Sequence, residues 1–157
     1  MSKIMCMVWV LLSLALFFEA QLAYAQEPEE VNTRWLLSNI SQSKGSVMIV
    51  NFWASWCAEC KKEIRDLVEL RQKYPEDSLY ILGVSMDEKS QAMQNFLQRL
   101  EVNYPNFQAA GDVGQSFNVT GVPKTYIYDA NGDLVLKEFG HLGQKRLEGV
   151  IQDILQE

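Results

Sequence analysis

Cysteine and histidine are scarce in this chain of 157 residues, which has three of the first and one of the second. That scarcity restricts both. A scaffold stapled by disulfides uses more cysteines, and a structural zinc site asks one chain for about four ligands. No basic excess is present either: 14 Lys and Arg stand against 20 Asp and Glu, a net charge of −6. The sequence therefore has no electrostatic footprint for nucleic acid. Long apolar runs are also missing, because the stretch from Ile4 to Phe18 ends at Glu19. It falls short of the roughly 20 residues of a spanning helix. Internal repeats and low-complexity tracts are absent, and QEPEE (26–30) is the one linker-like segment.

The N-terminus carries instead the pattern of an address. Lys3 precedes the apolar stretch, and Ala23-Tyr24-Ala25 supplies a small-x-small cleavage pattern before Gln26. This predicts a secretory signal peptide over residues 1–25, cut after Ala25, and one domain over 26–157 in an extracytoplasmic compartment. A retained N-terminal membrane anchor is the alternative. Cleavage removes Cys6, leaving Cys57 and Cys60, and takes one base with one acid, so the net charge stays at −6. The remaining length suits a single domain that buries its own core, expected as a monomer.

Strand and helix patterns alternate through that domain. "SVMIVNFW" (46–53) is a continuous apolar, β-branched run that predicts a buried central strand. Ile64, Leu67, Val68 and Tyr74 then recur near helical spacing until Pro75. A second strand is predicted over 79–86, with Asp87 as N-cap of a helix whose apolar stripe is Met93, Phe96, Leu97 and Leu100. Such alternation marks a parallel sheet covered by helices. Towards the C-terminus, 124–139 splits around Asn131-Gly132 into two strand-like halves, which predicts an antiparallel hairpin with a tight turn. Leu147, Val150, Ile151 and Ile154 form the stripe of a terminal helix. A leading helix over 31–40 and a short strand near Phe107 complete the expected order.

The pair Cys57-Ala58-Glu59-Cys60 lies where the central strand passes into a helix. A bridge across two intervening residues closes almost no loop, so it does little as a structural staple. Two cysteines and His141 are too few for zinc in one chain; two chains could together supply four thiolates, which keeps copper or zinc capture as an alternative. A sulfur at a helix N-terminus faces free N–H groups and the positive end of the dipole, and both favour a thiolate. Cys57 is thus the expected nucleophile. Cys60, one turn on along the same face, can attack a mixed disulfide formed at Cys57. His141, within Gly-His-Leu-Gly, reads as a surface loop residue and not as a base.

"VNFWASWCAECKKEIRDL" resembles the active-site region of thioredoxin-fold proteins, and more closely that of the extracytoplasmic TlpA/ResA-like branch. There the W-C-x-x-C segment is followed by a basic residue, a glutamate and a leucine, which Lys61, Glu63 and Leu67 match. About 60 residues later Gly121-Val122-Pro123 resembles the loop whose cis-proline faces the dithiol. The resemblance covers essentially the whole domain. It implies a thioredoxin-like α/β fold: a central mixed sheet with helices on both faces, closed by a C-terminal β-hairpin and helix. It further implies a thiol-disulfide oxidoreductase with the Cys57-Cys60 disulfide as its only redox group and no separate cofactor or metal. Its partners would be disulfide-containing client proteins and a membrane thiol electron donor. Cytochrome c maturation is one client route the family suggests, although the loop distinctive of its dedicated members is missing.

Several positions follow from the same resemblance. Gly121, Val122 and Pro123 would present backbone to an extended client segment. Trp56 would be an exposed apolar platform, and Trp53 part of the core. Asn51 stands where thioredoxin itself has a buried aspartate, which makes Glu63 the nearest proton-handling candidate; its alternative is a solvated helix face. Glu59 replaces the proline usual before the second cysteine, and Arg65 replaces a later one. A carboxylate at 59 disfavours a thiolate while Lys61 and Lys62 favour it, so the expected protein is a reductant or of middle potential. An oxidase or isomerase is the alternative direction.

Overall fold

The computed structural model describes residues 30–156. The expected signal peptide, with Lys3, Cys6 and Glu19, lies outside the described residues. Among those described, the elements run β1 (Glu30–Val31), α1 (Thr33–Gln42), β2 (Val47–Trp53), α2 (Ala58–Lys73), β3 (Leu79–Ser85), α3 (Ser90–Arg99), β4 (Asn106–Ala109), α4 (Val113–Ser116), β5 (Lys124–Tyr128), β6 (Leu134–Phe139) and α5 (Gln144–Leu155). The strands form one mixed sheet in the order β1-β4-β3-β2-β5-β6. β1, β4, β3 and β2 are parallel, and β5 runs antiparallel to both β2 and β6.

β2 is buried along its whole length because both faces of the sheet are covered. Its side chains alternate, as strand geometry requires. Met48, Val50 and Phe52 pack with Leu36 and Ile40 of α1, Val113 of α4 and Phe117. On the opposite face, Val47 and Ile49 meet Leu67 and Leu70 of α2 and Leu147 and Ile151 of α5. Trp53 packs on that side with Ile64 of α2 and with Met93 and Phe96 of α3. The thioredoxin-like α/β architecture and the helices on both faces are therefore as the sequence implies. Asn51 pairs in register with Thr125 on β5 and Gly83 on β3. Alternation places the Asn51 and Thr125 side chains under α2. No described helix is long and apolar enough to cross a membrane.

Three local expectations are corrected. The leading helix begins at Thr33, after Asn32 caps it by accepting from the Trp35 amide at 2.9 Å, and Val31 belongs to a strand that pairs with β4. Asp87 does not cap α3, which starts three residues later behind Lys89 without a side-chain cap. The hairpin turn is longer than a two-residue Asn-Gly turn: Asp129 donates its amide to the Asp133 carbonyl, and its Oδ1 accepts from the Asn131 and Asp133 amides, each at 2.8 Å. Of the pair Asn131-Gly132, only Gly132 enters the left-handed region, at φ +87°. A carboxylate that organises its own turn displaces the shorter hairpin geometry.

Candidate active site

Cys57 is the N-cap of α2. Its backbone is extended, at φ −90° and ψ 115°, and its Sγ accepts from the Cys60 amide at 3.0 Å. The chain leaves β2 at Trp53 and turns within Ala54-Ser55-Trp56, where the Cys57 amide bonds the Ala54 carbonyl at 3.1 Å. Cys57 and Cys60 are joined as a disulfide. Cys57 keeps 9% of its surface and Cys60 none. One sulfur is within reach of a partner and the other is sealed behind it. The Cys60 amide of the first helical turn points at the exposed one, and with the helix dipole this stabilises negative charge there.

The turn before Cys57 is held from below by Asp87. Its carboxylate accepts from the Ser55 amide at 3.0 Å, from Ser55 Oγ at 2.9 Å and from Ser85 Oγ at 2.9 Å. This is what Asp87 does instead of capping α3. The sequence reading missed it, although Ser85-Met86-Asp87 at the end of a buried strand is a signal that could have raised it. A second tie, from the Met86 amide to the Trp53 carbonyl at 2.7 Å, joins the same two strand ends.

Glu63 lies inside the protein and not on a solvated helix face. It is fully buried; Thr125 Oγ1 donates to its Oε1 at 2.7 Å, and Asn51 Nδ2 donates to Thr125 Oγ1 at 2.9 Å. Burial pushes the Glu63 carboxyl up to about 7, against the lowering effect of the Thr125 hydrogen bond. Cys60 and Glu63 stand three residues apart on α2, hence on one face. A carboxyl poised near neutrality can take or give a proton there. Thr125, which orients it, was not singled out by the sequence.

The Gly121-Val122-Pro123 loop faces the disulfide. The Val122-Pro123 peptide is cis, and the Val122 carbonyl oxygen lies 3.5 Å from Cys57 Sγ. Gly121 touches Phe139: a Cβ at 121 would come within 2.7 Å of the Phe139 ring, so any larger residue there would push the ring aside. Trp56 is 73% exposed beside Cys57. Trp53 is buried, stacks on Phe96 at 5.1 Å and donates Nε1–H to Asn106 Oδ1 at 2.9 Å.

Glu59, at the start of α2, is partnered: it pairs with Lys62 at 2.7 Å, and that hydrogen bond holds its carboxyl below the usual range. Its charge is thus largely offset one turn away. His141 lies in the loop after β6, as expected from sequence, but it is only 25% exposed, with Nε2 at 2.7 Å from Asp66 Oδ2 and Nδ1 at 4.0 Å from Glu59 Oε2. Among the described residues no three His, Cys, Asp or Glu side chains gather as metal ligands.

Residues 19–137 match the AhpC/TSA family. The chain is 32% identical over 115 residues to "Thiol-disulfide oxidoreductase ResA" of Bacillus cereus, a match that covers 71% of this chain and 65% of that protein. It is 32% identical over 113 residues to "Thiol:disulfide interchange protein HelX" of Rhodobacter capsulatus, covering 71% of this chain and 62% of the relative. The matched segment thus spans slightly less than two thirds of these curated relatives. Among solved structures, a putative thiol:disulfide interchange protein DsbE from Chlorobium tepidum superposes with TM-score 0.68 at 26% identity, covering 74% of this chain and 84% of the other.

Proposed function

Because the chain belongs to the AhpC/TSA family of thioredoxin-like proteins, we propose that it is a thiol-disulfide oxidoreductase that reduces disulfides in extracytoplasmic client proteins through Cys57 and Cys60. The observation that carries this reading is the asymmetry of the pair: Cys57 caps α2 and reaches the surface beside the Val122 carbonyl, while Cys60 is sealed. Export is supported by the N-terminal apolar stretch and the Ala23-Tyr24-Ala25 pattern.

In the reduced protein the Cys57 thiolate attacks one sulfur of a client disulfide. A Cys57–client disulfide forms, and the other client sulfur leaves as a thiolate that takes up a proton. Cys60, having lost its proton, then attacks Cys57 Sγ. The Cys57–Cys60 disulfide forms and the second client thiolate leaves. Two electrons have passed from the protein to the client. Glu63 is the group placed to accept the Cys60 proton, since its carboxyl changes charge near pH 7. The protein is recharged by the same exchange in reverse with a membrane dithiol donor. Trp56 and Gly121-Val122-Pro123 receive the client segment, and the redox-active disulfide serves in place of a separate cofactor.

The test is a trap. With Cys60→Ala the second step is blocked, so Cys57 is expected to accumulate as mixed disulfides with clients, visible as adducts that dithiothreitol releases. Absence of adducts, together with stoichiometric copper or zinc binding by the native dithiol, would replace the enzyme by a metal-capturing protein.

A further inference from the structure

Three consecutive residues, the last of β6 and the two that follow it, each make a contact that bears on the disulfide. The Phe139 ring rests on Gly121. The Gly140 amide donates to the Pro123 carbonyl at 2.9 Å. His141 Nε2 meets Asp66 Oδ2 at 2.7 Å on α2. The first two contacts grip the loop facing the disulfide, and the third grips the helix that Cys57 caps. Together they close a circuit. It runs from Cys57 along α2 to Asp66, across to His141, back through Gly140 to Pro123, and returns at the Val122 carbonyl 3.5 Å from Cys57 Sγ.

Without the third contact, the 139–141 segment would still hold the loop, and only the Thr125–Glu63 bond and the packing of Val122 would reference it to α2. The His141–Asp66 bond is well placed for that duty. Both side chains are mostly covered, at 25% and 21% exposure, and a hydrogen bond to a charged group in such a site is stronger than one between neutral groups. A neutral imidazole carrying its proton on Nε2 makes the bond as donor, so the contact does not depend on His141 being charged.

We infer that Phe139-Gly140-His141 is a clamp setting the position of the Val122 backbone against Cys57, and that His141, anchored on Asp66, is its positioning residue. The inference rests on the disulfide-exchange function proposed above. Its consequence is a preference. A client must pair as an extended segment alongside the Val122 backbone while its sulfur meets Cys57, whereas a small disulfide needs only the exposed Cys57 sulfur. Loosening the clamp should therefore penalise protein disulfides selectively.

The experiment compares reduction of insulin with reduction of hydroxyethyl disulfide by the full chain and its variants, together with the potential of the Cys57–Cys60 couple. His141→Ala and Asp66→Ala are each expected to lower kcat/KM for insulin roughly fivefold, chiefly through KM, as loss of one such hydrogen bond implies. Hydroxyethyl disulfide reduction and the potential should hold. The double variant should be no worse than either single one, because the two residues act through one bond. His141→Gln, whose amide can still donate to Asp66, should recover most of the loss. Amide exchange at Gly140 reads the clamp without any catalysis, and His141→Ala should accelerate it. Equal losses on both substrates, additive losses in the double variant, or unchanged Gly140 exchange would each overturn the clamp. If the native protein reduces neither substrate yet His141→Ala still frees Gly140, the proposed function fails while the clamp stands.

Discussion

Thr125 donates its hydroxyl hydrogen to Glu63 at 2.7 Å in a space sealed from solvent, joining the start of β5 to the second turn of α2. The bond offsets part of the cost of burying a carboxyl and leaves its proton affinity high. Glu63 is consequently the side chain through which pH acts most directly on this fold.

The sign of that dependence follows from linkage. The Glu63 carboxyl titrates near 4.5 in the unfolded chain and is raised to about 7 by burial. The folded state thus holds the proton more tightly. Its stabilising contribution is whole below about pH 4.5 and is lost as pH rises through about 7. The full loss is about 3 kcal/mol. Glu63→Gln stays neutral throughout, so the oxidised variant should match the native protein near pH 4.5 and exceed it by about that amount at pH 8. Urea denaturation at the two pH values measures the difference; parallel curves would remove Glu63 as the titrating group.

Asp87 fastens the turn that delivers Cys57. Asp87→Ala strands the Ser55 amide and hydroxyl and the Ser85 hydroxyl, which are donors with little access to water. The expected cost is about 2 to 4 kcal/mol of stability, read as a lower denaturation midpoint. Asp87→Asn, which keeps an acceptor oxygen towards Ser55, should lose less.

The potential of the couple tests the direction of exchange. A reductant is expected to lie below about −180 mV, and a value near −120 mV would mark an oxidase. Glu59 contributes little to this setting because Lys62 already pairs with it in solvent. Glu59→Gln should raise the potential by no more than on the order of 10 mV. Equilibration with glutathione buffers gives both values.

Trp56 projects into solvent at 73% exposure and carries little of the core. Trp56→Ala should leave the denaturation midpoint within about 0.5 kcal/mol of native stability. Formation of the mixed disulfide between Cys57 and a protein client should slow several-fold as the apolar platform is lost. Equal rates in a stopped-flow comparison would take Trp56 out of the client surface.

The legible parts of this molecule are those whose cause lies within a few residues. β2 shows as an unbroken apolar run because a strand covered on both faces admits no polar alternation. α2 and α5 show through their apolar stripes. The roles expected of Cys57 and Cys60 follow from a strand-to-helix junction that the sequence displays. Asp87 was misread because a carboxylate shortly before a helix is an ordinary cap by local rules, and only the approach of Ser55 across the sheet gives it a better set of donors.

By itself the sequence determined the order of strands and helices apart from β1 and the short α4, the helix-capping position of Cys57, and the family resemblance that brought Pro123 opposite it. Tertiary structure decided what surrounds the pair. The pairing of β2 with β5 sets Asn51 beside Thr125 and Thr125 beneath Glu63, a contact 62 residues apart along the chain. The loop after β6 sets His141 on Asp66 across 75 residues. Burial and long-range hydrogen bonding depend on sheet register and helix placement, which no local pattern encodes. Glu63, for which a solvated helix face was the alternative reading, is therefore a buried acid, and a loop histidine becomes a fixed contact.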